Sequence, residues 1–350
     1  MSEEPETMPE LLVERRGRAL WLTLNRPQAM NALNRPMAQA VHRALFEAAA
    51  DGGPQLVVIE GAGDRAFCAG GDVALLGRKG REDRALWEGF FHDEYRMNQA
   101  IARLGLPYVA LIDGITMGGG VGLSIHGPYR VATERTMFAM PETGIGLIPD
   151  VGGTHALARL PGEIGTWLAL TGARLKAADC IYAGIATHYI PSDRLPVLRD
   201  LLATAEEGVA DVLATLDAPA GEAPLAALRD AIDFHFSHDT VEDILASLDR
   251  GDAWAQEQAA IIRRMSPTSC KLSLLGLRMA EDGEIEDALV TEYRMVCALR
   301  HGHDFFEGIR ALLIEKDRNP KWNPASLEEV SEEEIARHLL EPDSGDLTFE

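Results

Sequence analysis

The sequence predicts an α/β fold with a helical C-terminal region, and three observations carry that prediction. Buried-looking strands, glycine-rich loops and helices alternate over residues 11–190. Such alternation calls for a largely parallel sheet with ligand sites beyond the carboxyl ends of its strands. From Asp193 onward the hydrophobic pattern is helical, with no convincing strand. Finally, 350 residues, 46% of them hydrophobic, can bury roughly three quarters of the unfolded surface without disulfide help.

Taken in order, residues 11–16 and 19–24 (LLVERR, ALWLTL) read as a hairpin about Gly17, followed by a turn at Asn25-Arg26-Pro27. Asn34 stands just ahead of Arg35-Pro36 as an N-cap with proline in the first turn, opening a helix to about Ala50. QLVVIE (55–60) is a short buried strand; GAGDRAFCAGGD follows as a loop, then a helical region through Trp87, Phe90, Phe91 and Tyr95 to about Leu104. YVALI (108–112) is the next buried strand, and Gly118-Gly119-Gly120 opens the next helix. Helical patterns cover 252–265, 267–281, 285–299 and 305–315. The expected organisation is a flexible N-terminus (1–10), an α/β core (11–190), a helical region (191–322) and a tail (323–350). Ser331…Glu334 caps a short helix in that tail, before a polar, frayed end.

Charge and cysteine usage exclude several classes. Lys+Arg 33 against Asp+Glu 55 gives a net charge of −22, which repels nucleic acid and anionic membrane. The most apolar stretch, Tyr108 to Ile125, is broken by Asp113 and five glycines, so no segment reads as membrane-spanning. The start, MSEEPETMPE, lacks the pattern of a signal or transit peptide, and the expected location is the cytoplasm. Cys68, Cys180, Cys270 and Cys297 are widely spaced without a CxxC, which fits reduced structural thiols.

One motif misleads. Gly61-Ala62-Gly63-Asp64-Arg65-Ala66 satisfies G-x-G-x-x-G/A after a strand, but Phe67-Cys68-Ala69-Gly70-Gly71 prolongs the loop where a dinucleotide site needs a helix to begin. Two glycine-rich loops remain, AFCAGGD (66–72) and TMGGGVG (116–122). They are either tight turns or the source of two converging backbone N–H donors, an oxyanion hole. Ser124 and His126 lack G-x-S-x-G, and His155 and His188 stand alone, so no Ser-His-Asp triad is expected. No paired histidine spacing suggests a metal. Among the acids, Glu94 could lie on a solvated helix face between Asp93 and Arg96, and Asp150 could cap a helix beginning near Gly152.

In order and spacing, AFCAGGD, GITMGGG (114–120), PETGIGLIPDVGG (141–153), LTGARLKAADCIYAGIATHYI (170–190) and FEGIRALLIEKDRNPKW (306–322) resemble the crotonase, or enoyl-CoA hydratase/isomerase, superfamily. The resemblance covers about residues 11–325. It implies a crotonase-like spiral of ββα units and two N–H groups that polarise an acyl-CoA carbonyl, at Ala69, with Gly70 as the neighbouring alternative, and at Gly119. Hydratases of the superfamily use two glutamates; here the first position is Gly122 and only Glu142 is kept. An acid is added at Asp150, where hydratases usually have glycine. With Glu94 in HDEYRMN and with AGIATH, the pattern is similar to the 3-hydroxyisobutyryl-CoA hydrolase family, whose substrate contacts map onto Glu94, Gly119, Glu142 and Asp150.

The implied activity is hydrolysis of a short β-hydroxyacyl-CoA, with Glu142 as base or as nucleophile. The chemistry agrees, since thioester hydrolysis needs an activated water or a carboxylate nucleophile and no proton relay to carbon. Coenzyme A would be held by Arg26, Gly70, Asp72 and Trp322, with Lys316, Arg318 and Lys321 as further cations. No cofactor or metal is implied, and the homo-oligomers common among relatives compete with a single subunit covered by its own helical region. The rival readings are an enoyl-CoA hydratase/isomerase and a non-catalytic CoA-binding protein.

Overall fold

The computed structural model describes residues 8–50 and 52–349. Among the described residues, ten strands form two sheets. The larger has the order β1-β2-β3-β5-β7-β10, from β1 (Leu11–Arg16), β2 (Ala19–Leu24), β3 (Leu56–Gly61), β5 (Tyr108–Ile112), β7 (Tyr129–Ala132) and β10 (His188–Tyr189). Only β1 runs antiparallel to its neighbour there. The smaller sheet has the order β4-β6-β8-β9, from β4 (Ala66–Cys68), β6 (Ile115–Met117), β8 (Met137–Ala139) and β9 (Leu175–Lys176). The first three are parallel, and β9 is antiparallel to β8.

Each successive strand pair, β3/β4, β5/β6 and β7/β8, gives one member to each sheet, which makes the ββα spiral. The sequence reading expected one sheet and placed β4 inside a glycine loop. Strands of two or three residues are too short for a period-two pattern to register. The larger sheet is legible because β3 and β5 are continuous apolar runs, buried on both faces as parallel strands are.

The helices of the core are α1 (Arg35–Ala48), α2 (Val73–Lys79), α3 (Arg84–Ala102), α4 (Gly119–Gly122), α5 (Gly153–Ala158), α6 (Ile164–Thr171) and α7 (Ala177–Tyr182). Asn34 caps α1 as expected, its side chain accepting from the Met37 N–H at 3.0 Å. The single helix expected up to Leu104 is two, α2 and α3, the second started by Asp83, whose carboxylate accepts from the Leu86 N–H. The helix expected beyond the second glycine cluster is only the four residues of α4, and Ser124 lies past its end.

The C-terminal region continues with α8 (Leu195–Thr204), α9 (Val209–Leu216), α10 (Arg229–Phe236), α11 (Val241–Asp249), α12 (Ala253–Ile262), α13 (Pro267–Ala280), α14 (Ile285–Leu299), α15 (Asp304–Ile309) and α16 (Glu332–Arg337). A π turn over Arg310–Ile314 prolongs α15, and Ser331 caps α16 as read. These helices do not form a separate body, since α13 and α14 pack on α5 and α3 and share one hydrophobic core with the sheets.

Two terminal expectations change. Of the N-terminus expected to be flexible, 1–10, residues 1–7 lie outside the described residues, while Pro9 and Glu10 are tied down by Asn25, Asn34 and Arg26. Through residue 349 the tail is docked, not frayed: Leu347 is buried and Asp346 pairs with Arg294 of α14. Arg96 donates to the Thr348 carbonyl and Phe349 packs against the core, which adds to the docking.

Candidate active site

The two glycine loops meet because β4 and β6 are neighbours in the smaller sheet, and each strand runs directly into its loop. Around that meeting point is a cavity of about 280 Å³ lined by Gly70, Gly71, Glu94, Gly119, Glu142 and Asp150, with Phe90, Phe91, Leu147, Leu312 and Leu313 as apolar walls. A larger groove, lined by Gln39, His42, Phe46 and Arg103 among others, contains none of the three cavity acids.

Glu94 comes from the buried face of α3, Glu142 from the turn after β8, and Asp150 from the loop before α5. They are 2%, 5% and 4% exposed, which removes the solvated-face reading of Glu94. The helix-cap reading of Asp150 also fails. Its carboxylate accepts from the Tyr95 hydroxyl at 2.7 Å, while the N–H groups of Gly152 and Thr154 at the start of α5 go to Glu292. An oxygen each of Glu94 and Glu142 is buried without a hydrogen-bond partner, an expense a fold normally avoids.

The glycine loop is shaped to receive these side chains. A Cβ on Gly119 would lie 2.6 Å from Glu94 Oε1, and one on Gly118 would lie 3.0 Å from Glu142 Oε1. Gly122, where a second acid would stand in a hydratase, leaves space taken by the buried amide of Asn98, 2.6 Å from the absent Cβ.

Electrostatics follow from this crowding. Burial pushes Glu142 well above the ordinary carboxylate range, and the charge of Asp150 adds to the effect. Glu94 is raised by burial and by the charges of Asp150 and Glu142. Burial lifts Asp150 to about 7, against the pull of the Tyr95 hydroxyl. Three carboxyls packed together cannot all ionise cheaply, so at least one holds a proton near neutrality.

The N–H donors need one correction. The Ala69 N–H donates to the Met30 carbonyl at 3.0 Å and is therefore spent on the fold. The Gly71 N–H has no acceptor among the described residues, and its nitrogen lies 3.3 Å from the position of a Gly119 Cβ. Gly119, the first residue of α4, has an N–H that its own helix cannot satisfy. The pair that converges is Gly71 with Gly119; motif spacing alone was two residues short.

The expected coenzyme A contacts fare unevenly. Gly70 lines the cavity, but Arg26 and Asp72 pair with each other at 3.0 Å, and Arg26 also reaches Glu10, so this arginine is neutralised. Trp322 donates to the Arg264 carbonyl and does not line the cavity. Lys316, Arg318 and Lys321 are likewise absent from its wall, though they follow directly on the turn whose Leu312 and Leu313 form part of it. The basic side chain that does line it is Arg174, which has no hydrogen-bond or ion-pair partner among the described residues. Within the motif LTGARLK it gave no signal beyond its charge.

Ser124 donates to the carbonyls of Gly120 and Val121, and His126 is bonded to the Val151 carbonyl, so the two do not form a nucleophile and base. Among the described residues no group of three or more His, Cys, Asp or Glu side chains is arranged to hold a metal ion, and no helix is long and apolar enough to cross a membrane.

A two-sheet ββα spiral whose glycine loops converge on buried acids defines an enzyme class that handles acyl thioesters. Comparison with known proteins is consistent with that class. Residues 19–339 match the enoyl-CoA hydratase/isomerase family model, and the chain belongs to this family. The mitochondrial 3-hydroxyisobutyryl-CoA hydrolase of Rattus norvegicus is 46% identical over an alignment covering 100% of this chain and 93% of that protein. Among solved structures, a carnitinyl-CoA dehydratase from Mycobacterium thermoresistibile superposes with a TM-score of 0.93 at 42% identity, covering 98% of this chain and 99% of that one. An enoyl-CoA hydratase from Rhodobacter sphaeroides 2.4.1 gives 0.90 at 43% identity, covering 97% and 100%.

Proposed function

We propose that this protein hydrolyses 3-hydroxyisobutyryl-CoA, and by the same chemistry 3-hydroxypropionyl-CoA, to the free acid and coenzyme A. It is an acyl-CoA thioester hydrolase, as are the curated relatives aligned along its whole length. The observation that carries the reading is the acid set of the cavity: Glu142 and Asp150 are present, and position 122, where a hydratase has its other glutamate, is a glycine. The solved neighbours named hydratase and dehydratase share the fold, but water addition to a double bond is best served by a matched pair of acids.

In the proposed reaction the thioester carbonyl oxygen sits between the N–H groups of Gly71 and Gly119. Each donor is worth about 2.7–4 kcal/mol of transition-state stabilisation. Ionised Glu142 takes a proton from water as the water oxygen bonds to the carbonyl carbon, and the resulting oxyanion is held by the two N–H groups. Collapse breaks the C–S bond, and the proton on Glu142 goes to the departing thiolate. Attack by Glu142 itself, through a mixed anhydride that water then opens, uses the same atoms. The β-hydroxyl donates to whichever of Asp150 and Glu94 is ionised and accepts from the other where that one keeps its proton. Burial assists both roles, because a base raised toward neutrality holds a proton strongly enough to remove it from water.

Arg174 supplies positive charge for the coenzyme A phosphates. The product acid places the reaction in valine breakdown. For the compartment we propose the cytoplasm, on four buried free cysteines that fit a reducing environment; the rat relative is named mitochondrial, and cell fractionation separates the two. The test of activity is release of free thiol from 3-hydroxyisobutyryl-CoA, followed with a thiol reagent. Steady release supports the reading, and coenzyme A binding without thiol release or acyl change overturns it in favour of a CoA-binding protein.

A further inference from the structure

Asp150 sits on a turn that the C-terminal helical region holds from behind. Val151, the next residue, has φ +58°, in the left-handed region that a β-branched side chain avoids. Gly152 follows at φ +75°. Backbone of this kind persists only where the surroundings impose it.

What imposes it is a buried carboxylate on α14. Glu292 is fully buried; its Oε2 accepts from the Gly152 N–H at 2.7 Å, and its Oε1 accepts from the Thr154 N–H at 2.9 Å and the Thr154 hydroxyl at 2.5 Å. On the other side of the turn, His126 Nε2 lies 2.7 Å from the Val151 carbonyl. The side chain of Asp150 meanwhile reaches forward to Tyr95. A carboxylate held in the core by three donors, on the very residues that follow a cavity acid, is more than filler: an apolar residue at 292 would leave the buried N–H groups of Gly152 and Thr154 without their acceptor.

We propose that Glu292 is a positioning residue for Asp150. It clamps the turn over residues 151–154 and thereby fixes the angle at which the Asp150 carboxylate enters the cavity. The enzyme's preference among acyl groups is then set partly from α14, which touches no substrate. This rests on Asp150 contacting the acyl group, as in the functional reading above.

Two variants test it in the full-length enzyme. In Glu292→Gln the amide presents an NH₂ to a backbone N–H whichever way it is turned, so at least one of the three bonds is lost at constant shape. Thr154→Val removes only the hydroxyl bond. Values of kcat/KM for 3-hydroxyisobutyryl-, 3-hydroxypropionyl- and isobutyryl-CoA are compared with those of Asp150→Asn, well below each variant's Tm. Glu292→Gln is expected to lower the hydroxyacyl-to-isobutyryl ratio about tenfold or more, the range for a hydrogen bond to a charged group. Thr154→Val shifts it the same way by less. The double variant Glu292→Gln/Asp150→Asn should show no lower ratio than Asp150→Asn alone, because the two act through one group. Parallel loss on all three thioesters, or ratio changes that add in the double variant, would assign Glu292 a purely structural role and overturn the proposal. The functional reading is judged separately, on whether the wild type releases thiol; the clamp is judged on whether Glu292 and Asp150 variants alter the same preference, in turnover or in binding, for whichever acyl-CoA the wild type accepts.

Discussion

Replacing Asp150 by Asn should make the protein more stable at alkaline pH and leave it little changed under acid conditions. The side chain is 4% exposed and its pKa is raised from 3.8 to about 7, mainly by burial. A carboxyl raised in the folded state stabilises the fold fully below its unfolded value, and that contribution disappears as pH climbs through the folded value. At about 1.4 kcal/mol per pH unit below the folded value, levelling off above it, the wild type gives up about 3 kcal/mol from this group between pH 5 and pH 8. The amide of the Asp150→Asn variant would have no proton to lose, and its oxygen can still accept from Tyr95. With an unfolding entropy of about 2.1 cal/mol/K for each of the 350 residues, the difference corresponds to about 4 °C. Thermal unfolding of wild type and variant is to be measured at pH 5 and pH 8 at one ionic strength. The Tm of the variant relative to wild type should rise by that amount at the higher pH. An equal difference at both pH values, or a variant relatively weaker at pH 8, would refute the burial argument for Asp150.

Further outcomes follow from the same geometry. Glu142→Gln should lower kcat by about 10²–10⁴, the usual worth of a general base, with little change in KM; an unchanged kcat would move the base elsewhere. Because Glu142 must be ionised to act and is raised by burial and by Asp150, the acid limb of kcat/KM should lie above the ordinary glutamate value of 4.5. Full activity maintained down to pH 5 would contradict that shift. Arg174→Ala should raise KM for a coenzyme A thioester and spare the matching pantetheine thioester, which has no phosphate; equal losses on both would remove Arg174 from phosphate binding.

Long, strongly patterned elements were legible in the sequence, and short ones were not. The strands over 11–16, 19–24 and 108–112 and the helix over 285–299 stand where the pattern puts them. The smaller sheet escaped because β4, β6 and β8 have three residues each and β9 has two, and sheet pairing rather than local propensity decides their state. In the site, Glu94, Glu142 and Asp150 were found through motif resemblance, and the structure brings them to one cavity. Ala69 was misplaced because a loop's glycines do not reveal which N–H is spent on a neighbour such as Met30. Two residues had a signal that went unread. Glu94 stands among Trp87, Phe90, Phe91 and Ile101, and Glu292 among Ile285, Leu289 and Val296, on the buried faces of α3 and α14. An acid at a core position of an amphipathic helix marks a group with a buried task.

Hydrolysis in a site that has lost the paired acids of hydration is the central claim, and one side-by-side assay tests it. Thiol release from 3-hydroxyisobutyryl-CoA and loss of the enoyl absorbance of crotonyl-CoA are to be followed with the same preparation at the same concentrations. With Gly122 beside Asn98 in place of a second acid, the prediction is rapid thiol release from the hydroxyacyl thioester and an enoyl band that persists. Rapid loss of the enoyl band without thiol release from the hydroxyacyl thioester would contradict it, and would show that these cavity acids sustain hydration without an acid at position 122.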